Sequence, residues 1–222
     1  MLEAISFTNN GKSATPAKQA EILNLVGDLE TSFPPNEKIL MDPKEAGILD
    51  GTWFLQYTSS STAGEADRFP NAWKPRNIDQ GPEANIESVP FNAKGSVSAA
   101  GINVDTSNRT VKQIIDATNS RVTNDVMLDW GRVCVSGRFR PSPSVPTRAL
   151  VAFDTCKIKL GTDTSNGPTI NLSFLFKILA IVRQTEDNGW LETTFVDDDV
   201  RIGRGNKGTM FVLTRDPNAV KP

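Results

Sequence analysis

The feature that most constrains this chain is a change of hydrophobic period at Gly51. Before it, Ile22, Leu25, Val26, Leu29 and Phe33 recur at helical spacing. After it, the period is two: Trp53, Leu55 and Tyr57 alternate with Phe54, Gln56 and Thr58, which predicts a first strand with one apolar face turned inward. Short segments of strand character follow at Asn85–Phe91, Gly95–Val104, Thr110–Ala117, Asp125–Phe139, Ala149–Leu160, Thr169–Arg183, Trp190–Phe195, Val200–Ile202 and Thr209–Thr214. Turn residues such as Thr106-Ser107-Asn108, Asp187-Asn188-Gly189 and Gly205-Asn206-Lys207-Gly208 break them apart. No strand alternates with a helix, so the pattern predicts a mainly β fold, an antiparallel β-barrel or sandwich preceded by an N-terminal helix.

The 222 residues suit one domain rather than two. The expected division is an extension over 1–14, one domain over 15–216 and a tail over 217–222. Within the domain, 15–47 is the helical segment and 48–216 the barrel. Thr15 is the expected N-cap and Pro16 the first helical residue, with Pro34-Pro35 ending that helix. A shorter helix is expected within Glu37 to Ala46, capped by Gly47. A long loop over 59–82 contains Pro70, Pro75, Pro82 and Gly81. The first fourteen residues have neither an Arg-rich character nor an apolar core, so no targeting peptide is expected within this sequence.

Composition removes whole classes of function. The chain has no histidine, which excludes Ser-His-Asp and Cys-His nucleophile systems and histidine general bases, and no enzyme activity is expected. With 24 Lys and Arg against 26 Asp and Glu, there is no summed positive field to hold a phosphate backbone, and nucleic acid is not an expected partner. Cys134 and Cys156 are too few for a disulfide framework and are expected as small buried hydrophobes, with a pairing across neighbouring strands as the alternative.

Two segments resemble a known family. Trp190-Leu191-Glu192-Thr193-Thr194-Phe195-Val196-Asp197-Asp198-Asp199-Val200-Arg201-Ile202-Gly203-Arg204-Gly205-Asn206-Lys207-Gly208 resembles the signature of the plastid-lipid-associated proteins, or plastid fibrillins. Leu49-Asp50-Gly51-Thr52-Trp53-Phe54-Leu55-Gln56-Tyr57-Thr58-Ser59 is similar to that family's opening strand. The resemblance implies a lipocalin-like barrel that handles lipid, carotenoid or quinone in plastids, peripheral to thylakoids or plastoglobules. No cofactor is implied beyond a bound lipid, carotenoid or prenyl quinone. The alternative is a peripheral subunit or assembly partner of a photosynthetic membrane complex, whose barrel is a filled scaffold. A cavity of about 300 Å³ or more favours the carrier, and close packing favours the scaffold.

The candidate residues follow. Trp53, Leu55, Tyr57 and Phe195 are the expected ligand-binding set. Gly51-Thr52-Trp53 has the form that opens lipocalin barrels, where the indole closes one end; the plainer reading is that Trp53 fills core volume. Phe69 and Trp73, beside Lys74 and Arg76, are expected to touch a membrane or partner, or else to plug the barrel. Phe174 and Phe176 lie in the apolar run Leu172–Val182, expected as a strand buried on both faces or as one facing lipid. Asp197, Asp198 and Asp199 offer carboxylates of the kind that bind Mg²⁺ or Ca²⁺, but Arg201, Arg204 and Arg215 nearby favour a structural ion-pair cluster without metal. The glycine-rich Gly203–Thr209 stretch lacks phosphate-loop spacing and reads as a hairpin turn.

Overall fold

A computed structural model describes residues 1–59, 91–92, 96–99, 102–105, 109–161, 167–174, 177, 189–205 and 209–218. The helices are α1 (Leu2–Ile5), α2 (Pro16–Ser32) and α3 (Pro43–Ala46), the last running into a 3-10 turn at Gly47–Leu49. The strands are β1 (Gly51–Ser59), β2 (Phe91–Asn92), β3 (Ser96–Ala99), β4 (Ile102–Asp105), β5 (Val111–Asp116) and β6 (Arg121–Leu128). Then come β7 (Gly131–Pro141), β8 (Arg148–Leu160), β9 (Thr169–Asn171), β10 (Gly189–Val196), β11 (Val200–Gly205) and β12 (Met210–Arg215).

The main sheet has the order β10-β11-β12-β1-β5-β6-β7-β8-β9, and β10 also pairs with β8. Followed from β1, the ring runs β1-β5-β6-β7-β8-β10-β11-β12 and returns to β1, so it closes in sequence order as an up-and-down antiparallel barrel. Closure removes the exposed edges that an open sheet would carry. β9 adds to β8 beside the ring, and β2-β3-β4 form a separate small sheet.

Two apolar clusters hold this arrangement. Inside the ring lie Leu55, Val111, Ile115, Val122, Val126, Val133, Val135, Val151, Phe153 and Leu213, with Trp53 and Leu49. Outside it, α1 and α2 cover β1, β10, β11 and β12 through Ala4, Ile5, Ile22, Val26, Tyr57, Phe195, Ile202, Met210 and Val212. Helix α2 begins where Thr15 Oγ1 accepts the Lys18 N–H, with Pro16 at the first helical position. Of the expected stripe, Ile22 and Val26 are fully buried, but Phe33 is the C-cap and is exposed. Burying each such aliphatic side chain is worth about 1.5–3 kcal/mol.

The structure corrects several expectations. Residues 1–14 are packed rather than appended: Ala4 and Ile5 are buried, and the Thr58 N–H donates to the Asn10 carbonyl. Gly11 fits there with φ at +96°, because a Cβ would meet the Thr58 carbonyl oxygen at 2.2 Å. The expected helix within Glu37–Ala46 is one turn, Pro43–Ala46, capped by Asp42, and Gly47 continues right-handed into the 3-10 turn instead of ending it left-handed. Asp125–Phe139 is two strands, not one. The chain reverses at Asp129-Trp130, and Gly131, with φ at +156°, lies where a Cβ would strike the Lys159 carbonyl at 2.1 Å. The strand expected over Thr169–Arg183 ends at Asn171; Phe174 and Lys177 are helical and exposed. The two cysteines are free, as the main expectation had it, and the register rules out the alternative pairing: Val135, not Cys134, stands opposite Cys156, so the two thiols lie on opposite faces of neighbouring strands. Burial pushes both thiols above their ordinary value.

Candidate functional site

The site grows from strand parity and its two interruptions. On β1 the register slips between Leu55 and Tyr57: Leu55 stands opposite Leu213, but Tyr57 opposite Val212. On β10 it slips between Thr193 and Phe195, which face Gly203 and Ile202. Each bulge places two positions on the bulged strand against one on its neighbour and so reverses which later residues face inward. Leu55 and Thr193 therefore line the interior, whereas Tyr57 and Phe195 turn outward into the cluster under the helices. Tyr57 and Phe195 were expected inside, and the bulges are the physical reason they are not.

What remains inside is a mostly apolar cavity of about 120 Å³. Leu55, Val111, Ile115, Val122, Val151 and Phe153 contribute to its wall, and Trp190, Thr193, Gln113, Asn124 and Arg201 add polar atoms. The volume is below the roughly 300 Å³ expected of a pocket engulfing a whole ligand, yet far above a water-sized void.

Trp53 is fully buried but is not part of the cavity wall. Its indole N–H donates to the Leu49 carbonyl at 2.9 Å. The Arg215 and Arg201 guanidinium groups lie 4.1 Å and 5.3 Å from its ring centroid. Arg215 donates to the carbonyls of Ile48, Asp50 and Asp198 at 2.5–2.6 Å, tying the 3-10 turn and the β10–β11 turn to this end of the barrel. Trp53 thus backs Arg201, and Arg201 reaches the cavity.

The three arginines of β11, β12 and their neighbourhood divide by parity, and Arg201 and Arg204 do not join the expected cluster. Arg204, three residues from Arg201, faces outward and meets Glu30 of α2 through two hydrogen bonds of 2.6 and 2.8 Å. Thr194 donates to the same carboxylate at 2.6 Å. Asp197 is a turn cap: its Oδ1 accepts the N–H groups of Asp199 and Val200 at 2.8 and 2.6 Å. Phe174 is exposed and helical, while Phe69, Trp73 and Phe176 lie outside the described residues.

Arg201 and its surroundings were missed as part of the interior. Its Nη2 donates to Gln113 Oε1, and Gln113 Nε2 donates to Asn124 Oδ1 at 2.9 Å. Burial, with the Arg215 charge adding to it, pushes the Arg201 guanidinium down to about 9. Its parity was legible: Arg201 and Gly203 share the face opposite Val200, Ile202 and Arg204. Among the described residues, no helix is long and apolar enough to cross a membrane.

The model of the PAP_fibrillin family matches residues 1–214. The chain is 27% identical to a light-induced chloroplastic protein of Solanum tuberosum and 26% identical to a plastid-lipid-associated chloroplastic protein of Citrus unshiu. Each match covers 97% of this chain and 66% of the relative, so the chain spans just under two thirds of their length. It is also 25% identical to a chromoplast-specific carotenoid-associated protein of an Oncidium hybrid cultivar, over 97% of this chain and 67% of that one. No solved structure matches.

Proposed function

This chain belongs to the PAP_fibrillin family, and on that premise we propose that it is a non-enzymatic plastid protein that takes the apolar chain of a lipid, carotenoid or prenyl quinone into its barrel while lying peripherally on a thylakoid or plastoglobule. The observation that carries this reading is the apolar cavity of about 120 Å³ inside a closed barrel. Its size supports insertion of a chain segment, with the rest of the molecule left outside. Each Å² of apolar surface removed from water contributes about 25 cal/mol, so the wall supplies affinity without any directional contact. Names of relatives that refer to plastid lipid and to carotenoid point the same way. The small volume also favours the second reading, in which the barrel is a scaffold docked on a photosynthetic membrane complex.

Titration of tryptophan fluorescence separates the two. Trp190 lines the cavity and Trp53 stands behind Arg201, so an entering chain passes near indole rings. A prenyl quinone, a carotenoid and a galactolipid are added in turn to the purified chain and to Leu55→Trp, which fills the cavity. The carrier reading expects saturable quenching at about micromolar affinity, equivalent to about −8 kcal/mol, that is lost in the filled variant. Linear quenching by all three, unchanged in Leu55→Trp, removes the carrier and leaves the scaffold.

A further inference from the structure

Among the described residues three arginines are buried, and two of them are given a carboxylate. Arg148 meets Glu192 at 2.9 Å, and Arg204 meets Glu30 at 2.6 Å. Arg201, 2% exposed, meets the neutral amide of Gln113, and among the described residues no carboxylate pairs with it. Its Nε has no hydrogen-bond partner and no contact with solvent. A second buried donor in the same cavity wall, the indole N–H of Trp190, also lacks an acceptor. A buried cation without a counter-charge is among the most costly arrangements a fold can keep, and unmade hydrogen bonds in a dry site add to that cost. A ligand that brings an anionic oxygen relieves both.

Resting on the reading that the barrel takes a lipid chain, we propose that its ligand is a long-chain carboxylic acid, held with its carboxylate on Arg201 and its alkyl chain along the apolar wall. The guanidinium fork matches a carboxylate in shape and charge, and its unmatched Nε–H is a free donor for it. Gln113 and Asn124 hold the fork from the side, and Trp53 backs it. A carotenoid hydrocarbon or a quinone brings no negative charge and leaves Arg201 uncompensated. A carboxylate is also the most compact acidic head for a cavity of about 120 Å³.

The test compares two ligands of equal chain length, lauric acid and lauryl alcohol, on the delipidated full chain, read by tryptophan fluorescence. The parent is expected to bind the acid at least tenfold more tightly than the alcohol, and Arg201→Met to bring the acid down to the level of the alcohol. If Arg201→Met does not fold, Arg201→Lys carries the test: its point charge retains a reduced preference for the acid, and no preference in that variant overturns the proposal. Equal affinities in the parent overturn the carboxylate assignment and leave the carrier reading standing. Binding of neither compound removes both.

Discussion

At the residue scale, Arg201 shows what a binding group does to the empty protein. Burial holds its guanidinium down to about 9, well below the ordinary arginine range, so the folded state resists its proton. Up to about pH 9 both states hold that proton and the native state carries the full penalty, which is relieved progressively only as pH rises above 9 toward the ordinary arginine range. Arg201→Met removes the charge while keeping similar volume, and with it the cost of burying an uncompensated cation. Without ligand, the variant is therefore expected to melt several degrees above the parent at pH 7, with the gap unchanged up to about pH 9 and narrowing only as the pH is raised further; a variant that melts lower at pH 7 makes Arg201 an ordinary structural residue. The acidic triplet teaches the opposite lesson about legibility. Asp197 to Val200 lie beside Arg201 and Arg204 in sequence, but a turn and strand parity send the carboxylate of Asp197 to backbone N–H groups and the two guanidinium groups to opposite sides of the sheet. Parity was readable from Arg201 and Arg204 three positions apart; the distant partners, Gln113 and Glu30, were not.

At the element scale, period two and the turn residues between segments located β1, β5, β8, β10 and β12 to within a residue or two. It failed wherever a local irregularity resets parity without a distinctive residue. Nothing in Leu55-Gln56-Tyr57 or Thr193-Thr194-Phe195 announces a bulge, so the inward set was half right: Leu55 lines the cavity and Tyr57 and Phe195 serve the helix interface. The β6–β7 turn was hidden because Trp130 sits between its two turn formers, Asp129 and Gly131. Helix α2 is anchored to that outer face by Glu30, which accepts from Arg204 and Thr194 together. Because Arg204 is 3% exposed at its side chain, Glu30→Ala strands a buried guanidinium and is expected to cost about 3–5 kcal/mol in urea unfolding. Glu30→Gln, which keeps an acceptor, is expected to cost clearly less; equal, small losses in both mean that apolar contacts alone seat the helix.

At the scale of the whole molecule, the order of the ring makes closure depend on the two ends of the chain, since β1 near the start pairs with β12 near the end. The remaining closure, β8 with β10, is held by four residue pairs, Gly189–Val151 through Glu192–Arg148, while β7 and β8 share eleven. The short seam is reinforced by its side chains: Arg148 bonds Glu192 and stacks 3.7 Å from the centroid of the Trp190 ring. Beyond Val151, β8 turns to β9 for partners, so the ring is thinly cross-linked next to the cavity wall that Gly189, Trp190 and Leu191 provide, as it is at the four pairs between β1 and β5. Local opening begins where the fewest backbone bonds must break together. Native-state hydrogen exchange followed by mass spectrometry is therefore expected to show the amides of 149–151 and 189–192 exchanging well before those of β6 and β7. An apolar ligand that spans the cavity wall should slow exchange at the seam more than elsewhere, because it binds the closed ring and not the opened one. Uniform protection around the ring would mean that the four pairs and the Arg148–Glu192–Trp190 stack hold as firmly as the long β7–β8 ladder, and that the cavity is reached by some route other than this seam.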